Sequence, residues 1–293
     1  MAAGQGKRMR SARPKVLHRL AGTPLAAHVL VSARQLKPAA IVVVVGHGAA
    51  EVQEVLAAPD VAFVLQDPPR GTGDAVRVAL ATLPREGITV VANGDCPLIS
   101  TSTFAALAAS AAHGHLAVLT AQVDDPAGLG RVVRAADGSV TRIVEERDAS
   151  VAERTLSEIY TGVLAAPTAL LASWVARLTP DNAQKEYYLT DIVKLALADT
   201  VAVDGVRLAD PLEGTGINDR AQLAAAERIV QQRYAATLMA AGATLADPAR
   251  FDQRGTLQCG RDVSIDVGCV FEGDVTLGDN VEIGPYCVLR NVT

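Results

Sequence analysis

The sequence predicts an α/β domain on a mostly parallel sheet, then a linker helix, then a truncated left-handed parallel β-helix. Three patterns carry this expectation. Through roughly the first two hundred residues, short Val/Ile-rich runs alternate with Ala-rich stretches of helical length. Positions 219–241 hold no Gly or Pro. Beyond them, apolar residues return at every sixth position. The boundaries that follow are 1–218 for the α/β domain, 219–242 for the linker helix and 243–293 for the β-helix.

The runs Ile41–Val45, Val61–Leu65, 88–92 and 116–123 are apolar at successive positions, as strands buried on both faces are. Between them 24–35, 49–58, 73–83 and 102–112 read as crossover helices, with Gly114 placed to stop the last. Ligands of such sheets bind beyond the carboxyl ends of the strands, which points to 66–73, 93–98 and the loop around Gly128 and Gly130. Segment 219–241 reads as one helix about 35 Å long at 1.5 Å per residue. Asn218 is placed to cap it and Gly242 to end it, so it reads as a spacer.

In the last fifty residues Val263, Cys269, Val275, Val281 and Cys287 form one six-residue series, and Ile265, Phe271, Leu277, Ile283 and Leu289 form a second. About three hexads make one triangular coil. Cys269 and Cys287 therefore fall on equivalent faces of successive coils. The array stops at Thr293 without a polar cap, which predicts a shortened solenoid or an edge covered by another chain.

Composition narrows the function. Of 293 residues 49% are apolar and 3% aromatic, and the formal charge is −5. An acidic chain of this kind is not a nucleic-acid binder. The longest apolar run, 39–45, is far too short to span a membrane, and the chain opens on a glycine-rich segment rather than a signal peptide. Cys96, Cys259, Cys269 and Cys287 have no C-x-x-C spacing, which fits a reduced, cytoplasmic protein. His18, His28, His47, His113 and His115 are scattered and read as structural or solvated.

Against that acidic background residues 1–16 hold two glycines, three arginines and two lysines. Gly4 and Gly6 let backbone N–H groups approach an anion, and Arg8 and Lys15 supply positive charge, so the expected ligand is a polyphosphate nucleotide. Neither G-x-G-x-x-G nor the P-loop pattern is present. Asn93-Gly94-Asp95 closes an apolar run and puts a carboxylate at the mouth of the sheet. Mg²⁺ needs few protein oxygens beside phosphates and water, and Asn218 offers an amide oxygen far along the chain. Asp95 capping a turn and Asn218 capping a helix explain the same residues equally well. Gln66, followed by Gly71 and Thr72, can present both a donor and an acceptor to the imide edge of a pyrimidine.

A-A-G-x-G-x-R-M followed by P-K-V-L resembles the sugar-nucleotide pyrophosphorylases, and within them the bifunctional uridylyltransferase/acetyltransferase members. The resemblance runs along essentially the whole chain and implies a Rossmann-like nucleotidyltransferase domain. It implies Mg²⁺-dependent uridylyl transfer from UTP to N-acetylglucosamine 1-phosphate for cell-wall precursor synthesis. Arg8 and Lys15 then neutralise charge during catalysis, and Asp95 and Asn218 hold Mg²⁺. Met1, Ala2, Ala3 and Gly4 contact the nucleotide, Gln66, Gly71 and Thr72 the uracil. Asn93, Gly94, Gly130, Glu145 and Tyr160 complete the substrate site. The segment from Asn182 to Asp191 matches the uridylyl-specific members. Side-by-side β-helices imply a homotrimer.

Three departures stand out. The family has Asn where this chain has Tyr160, and usually Thr where it has Lys7. In the family a central strand of about five apolar residues precedes the glycine-rich loop, and Met1 stands where its last residue falls. A misplaced start site is the simplest cause, and the expectation is that two neighbouring strands lose a partner and the phosphate loop its anchor. The coils that carry acetyl transfer in the family are absent, so no acetyltransferase activity is expected. The alternatives are an inactive fragment that only self-associates, and a pyrophosphorylase for another sugar phosphate.

Overall fold

The computed structural model describes residues 1–293. The chain divides into two compact units. Met1–Lys7, Ser11–Val16 and Ala26–Gly216 make the first, and Arg8–Arg10, Leu17–Leu25 and Ile217–Thr293 the second.

The first unit carries strands β1 (Ile41–Val45), β2 (Val61–Leu65), β3 (Ile88–Val91), β4 (Leu116–Gln122), β5 (Gly130–Arg134), β6 (Val140–Val144), β7 (Glu158–Pro167) and β8 (Val203–Arg207). Its helices are α1 (Leu25–Arg34), α2 (Ala49–Leu56), α3 (Thr72–Leu80), α4 (Thr101–Ala112), α5 (Val151–Arg154), α6 (Thr168–Ala176) and α7 (Ile192–Ala198). All four strands and four crossover helices expected from the sequence are present, with ends shifted by up to three residues.

Strand β1 pairs only with β2, in parallel. The larger sheet has the order β8-β4-β7-β5-β6, with β3 on β7. Strands β3, β4, β5 and β8 run one way, and β6 and β7 run against them. Ala2 forms a parallel bridge with Val45, so β1 and β2 join the majority direction. The antiparallel β7 is one of four strands the apolar runs did not mark, because Gly162, Ala165 and Ala166 dilute its β-branched signal.

Strand β4 shows why the apolar runs lack alternation. Leu116 and Val118 pack with Trp174, Leu171 and Ile192 on one face. Ala117, Leu119 and Ala121 pack with Phe104, Leu107 and Val163 on the other. Helices cover both faces, so every side chain from Leu116 to Ala121 is buried. Trp174 is fully buried, and its indole N–H donates to Asp199 Oδ2 at 2.9 Å.

The second unit carries α8 (Arg220–Ala240) and strands β9 (Thr244–Leu245), β10 (Phe251–Cys259), β11 (Ser264–Ile265), β12 (Cys269–Leu277), β13 (Glu282–Ile283) and β14 (Val288–Val292). Helix α8 is capped by Asp219, not by Asn218. The extended backbone at Asp219 lets its Oδ1 accept from the N–H of Gln222 at 2.8 Å, while the N–H of Asn218 donates to the Gln222 side chain at 2.7 Å. Nor is α8 a free spacer, since Ala235 and Leu238 are buried with Phe251, Phe271 and Val275. Gln231, also buried, donates to Gln253 O at 2.8 Å and accepts from Gln253 N at 2.7 Å.

Strands β10, β12 and β14 form one parallel ladder, and β9, β11 and β13 another. Phe251 lies opposite Cys269, and Val270 opposite Val288, a step of eighteen residues per coil. Cys269 and Cys287 therefore occupy equivalent positions, and both are free thiols. Left-handed residues mark the corners at the same interval: Gly255, Gly273 and Asn291, then Asp262 and Asn280, then Gly268 and Tyr286. No helix of either unit is long and apolar enough to cross a membrane.

Candidate active site

The N-terminal segment begins inside the first unit. The α-amine of Met1 donates to Ala92 O at 2.6 Å, the N–H of Ala2 donates to Val44 O at 2.8 Å, and Met1 O accepts from the N–H of Gly94 at 2.8 Å. Met1 and Ala2 thus form short ladders with the ends of β1 and β3. The loop is anchored, contrary to the expectation from sequence, while β1 and β3 keep the unpaired edges that were expected. Ala3 follows half-buried, and Gly4 is exposed with open space around its α-carbon.

Just past β3, at the carboxyl ends of the strands, Asp95 pairs with the ammonium of Lys15. These groups are eighty residues apart in sequence, and both side chains are largely shielded. Cys96 Sγ lies 3.6 Å from the other Asp95 oxygen, and burial first, then the Asp95 charge, raises the thiol pKa well above its ordinary value. A thiol held protonated is no nucleophile.

Gln66 is buried at the end of β2. Its amide nitrogen donates to Gly71 O at 3.0 Å and to Asp74 Oδ2 at 2.9 Å. The donor half of Gln66 is therefore used within the protein, and only its carbonyl oxygen is left for a ligand. Asp74, which sequence reading passed over, fixes that orientation and is held by Arg77. Its signal was an acidic residue in the first turn of a helix opened by Gly-Thr-Gly. The 182–191 segment docks on this loop. Tyr187 N donates to Arg70 O and Gly73 N to Tyr187 O, both at 2.8 Å, and Leu189 N donates to Thr72 Oγ1 at 3.1 Å.

Asn93 lies against Gly162. A Cβ on Gly162 would sit 2.1 Å from Asn93 Nδ2, and its φ of +85° also favours glycine. Tyr160 pairs across the sheet with both Thr120 and Gly130. Its hydroxyl is buried without a hydrogen-bond partner, and burial raises its pKa far above the ordinary value. Glu145, at the end of β6, accepts from Thr190 Oγ1 at 3.1 Å. Burial raises the Glu145 pKa, and the Thr190 bond opposes that rise. Gly130 opens toward Glu145, whose Oε2 lies 3.7 Å from the position of an added Cβ. The next residue, Glu146, is held by the buried Arg131 at 2.8 Å. Arg131 thereby fixes the end of the strand that presents Glu145.

The first unit therefore contains Met1, Ala2, Ala3, Gly4, Lys15, Gln66, Gly71, Thr72, Asn93, Gly94, Asp95, Gly130, Glu145 and Tyr160. Arg8, which is exposed, and Asn218 belong to the second unit. No three His, Cys, Asp or Glu side chains cluster as a metal cage. Lys15 engages one oxygen of the shielded Asp95 carboxylate, and the other can meet a hard divalent ion that takes its remaining ligands from phosphate and water.

This loop beyond a mostly parallel sheet defines the class. Residues 1–136 match the MobA-like NTP transferase domain and residues 258–291 the bacterial transferase hexapeptide repeat. The fold is that of a nucleotidyltransferase domain followed by a hexapeptide region consistent with a left-handed β-helix. It is a close homologue of the Bifunctional protein GlmU of Burkholderia vietnamiensis, 54% identical over all 293 residues, and of Burkholderia mallei, 55% identical over 291. The chain spans about 65% of the length of these relatives. Among solved structures, a Bacillus anthracis protein described as a glucose-1-phosphate thymidylyltransferase matches with a TM-score of 0.62 at 16% identity. That match covers 78% of this chain and 92% of the other. A nucleotidyl transferase from Methanothermobacter matches at 0.50 and 21%, covering 76% and 92%. Both likenesses are of fold.

Proposed function

We propose that this chain transfers the uridylyl group of UTP to N-acetylglucosamine 1-phosphate, giving UDP-N-acetylglucosamine and pyrophosphate. A phosphate oxygen of the sugar phosphate bonds to the α-phosphorus as the bond to the pyrophosphate oxygen breaks. The nucleophile is already anionic, so neither a general base nor a covalent enzyme intermediate is required. What the protein must supply is alignment and charge neutralisation.

The observation that carries this reading is the Lys15–Asp95 pair at the carboxyl ends of the strands, beside a glycine-rich N-terminal loop. Lys15 is the cation for the phosphates. Asp95 would hold Mg²⁺, and the ion when bound would neutralise phosphate charge as a Lewis acid. Arg8 adds charge from the glycine-rich loop. Gln66 Oε1 accepts from the uracil imide N–H, while Gly71 and Thr72 give the base a backbone wall. At the sugar end Asn93, Glu145 and Tyr160 meet the pyranose hydroxyls, with Gly130 leaving room for the ring.

Pyrophosphate release from UTP and Mg²⁺ tests the proposal, comparing N-acetylglucosamine 1-phosphate with glucose 1-phosphate. Release that requires the acetylated sugar supports it. Release with glucose 1-phosphate alone shifts the assignment to a pyrophosphorylase of another sugar, a reading favoured by Tyr160. No release with either sugar removes the proposal.

A further inference from the structure

Gln66 follows β2 directly, and its backbone N–H donates to Val45 O at 2.8 Å, so the residue is held against the end of β1 before its side chain is placed. A primary amide donates at one end and accepts at the other, and turning it over exchanges the two. Both groups against the Gln66 nitrogen are acceptors: Gly71 O at 3.0 Å and Asp74 Oδ2 at 2.9 Å. Turned over, the amide would set its oxygen against two oxygens, one of them charged. Gln66 and Asp74 are both buried, so water would not replace the two lost bonds.

The residue type at 74 makes this orientation one-way. An ionised carboxylate only accepts, so it demands the NH₂ end of its neighbour, whereas an asparagine can answer either end. The charge is kept in place from two sides. Asp74 stands in the first turn of α3, where the helix dipole favours an anion, and Arg77 donates to its other oxygen, Oδ1. Arg77 in turn lies over the ring of Tyr187, 5.5 Å from its centroid, and the Tyr187 backbone is bonded to Arg70 and Gly73. The turn from 66 to 74 and the segment that docks on it therefore hold one amide in one sense.

A carbonyl that cannot turn is a filter for bases. Uracil carries an N–H at ring position 3, and cytosine carries a lone pair there. An amide free to rotate could donate to cytosine as readily as it accepts from uracil. A locked one meets cytosine oxygen against nitrogen, with both lone pairs desolvated.

We propose that Asp74 sets base specificity by locking Gln66 so that only a base with an imide N–H is accepted. This role rests on the uridylyl-transfer reading. Asp74 touches no substrate itself and acts through Gln66, as a positioning residue.

Asp74→Asn keeps the shape and allows the opposite arrangement. Arg77 holds the asparagine oxygen, the asparagine NH₂ faces Gln66, and Gln66 turns its own NH₂ toward the base. Kd values for UTP and CTP are measured by titration calorimetry on the full chain with Mg²⁺ and no sugar phosphate. Pyrophosphate release with N-acetylglucosamine 1-phosphate is followed beside them. Wild type is expected to bind UTP at least ~100-fold more tightly than CTP, the scale on which a hydrogen-bonding site rejects a mismatched analogue. Asp74→Asn should lower that ratio at least ~10-fold, about one hydrogen bond's worth, and should bind CTP more tightly than wild type does. Tighter CTP binding is the readout that a merely structural role would not move, because damage to the fold weakens both nucleotides. Asp74→Ala removes the acceptor without supplying a donor and leaves Gly71 O alone to hold the amide. Its ratio should fall at least ~3-fold, which keeps the test open if Asp74→Asn does not fold. An unchanged ratio in either folded variant, or no gain in CTP affinity in Asp74→Asn, overturns the proposal while turnover of UTP leaves the function standing. A wild type that binds neither nucleotide overturns both.

Discussion

A single carboxylate is assigned both a lysine and a metal, which makes Asp95 the most informative residue to change. Asp95→Ala is expected to reduce kcat/KM for pyrophosphate release at least ~100-fold, the scale of losing one electrostatic contact to the reacting phosphates. Tm should stay within a few degrees of wild type, because Lys15 retains 13% side-chain exposure and can turn toward water. A collapse of Tm would make the pair structural. Gly162 is constrained from two directions, a φ of +85° and Asn93 against its α-carbon. Gly162→Ala should cost about 1–3 kcal/mol in urea unfolding and displace Asn93. For Glu145, burial raises the folded pKa above the unfolded one. The native state then holds the proton more tightly, so the contribution of Glu145 to stability is fully present at low pH and is lost as pH rises through the ordinary glutamate range and just beyond it. Glu145→Gln should flatten that slope in urea titrations at a series of pH values. An unchanged slope would mean that another group titrates there.

Elements were legible where their chemistry was local. The apolar runs at 41, 61, 88 and 116 gave four strands, with both faces buried in β4 but Ala62 and Leu65 exposed in β2, and Gly114, at φ +85°, does follow the end of α4. Strand β7 escaped notice because what defines it is pairing on both edges, with β4 on one and with β3 and β5 on the other, which lies outside its own composition. The cap of α8 was misplaced by one residue because Asn218 and Asp219 are both good caps, and only backbone geometry separates them. Asp219→Ala should therefore destabilise the second unit by about 1 kcal/mol in chemical unfolding. Within the site, Lys15 and Asp95 were readable as charges beside glycine, whereas the internal hydrogen bonds of Gln66 depend on Asp74 and could not be read from spacing. Gly255→Ala tests the solenoid in the same way. The added Cβ would lie 2.2 Å from Gly273 O, a backbone atom that cannot rotate aside, and a loss of about 2 kcal/mol or more is expected.

For the molecule as a whole, the hexapeptide region and the trimer that the sequence resemblance implies lead to a measurement on the intact chain. If this chain assembles as the resemblance implies, light scattering should return three times 30.4 kDa, and a monomer would overturn that expectation. The repeat was the most legible feature of the sequence because a solenoid is nearly one-dimensional, each coil repeating the contacts of the one before. Its corners carry a further consequence. Gly255, Gly273 and Asn291 share one vertical line of left-handed backbone, as do Asp262 and Asn280, and Gly268 and Tyr286. An insertion of one residue would shift every later corner onto the residue before it, so that Val267, Glu272, Pro285 and Arg290 would meet a left-handed conformation that residues with a Cβ resist. Growth of this column is quantised: it can lengthen by whole turns of eighteen residues, but a single added residue jams it like a tooth out of step with its rack.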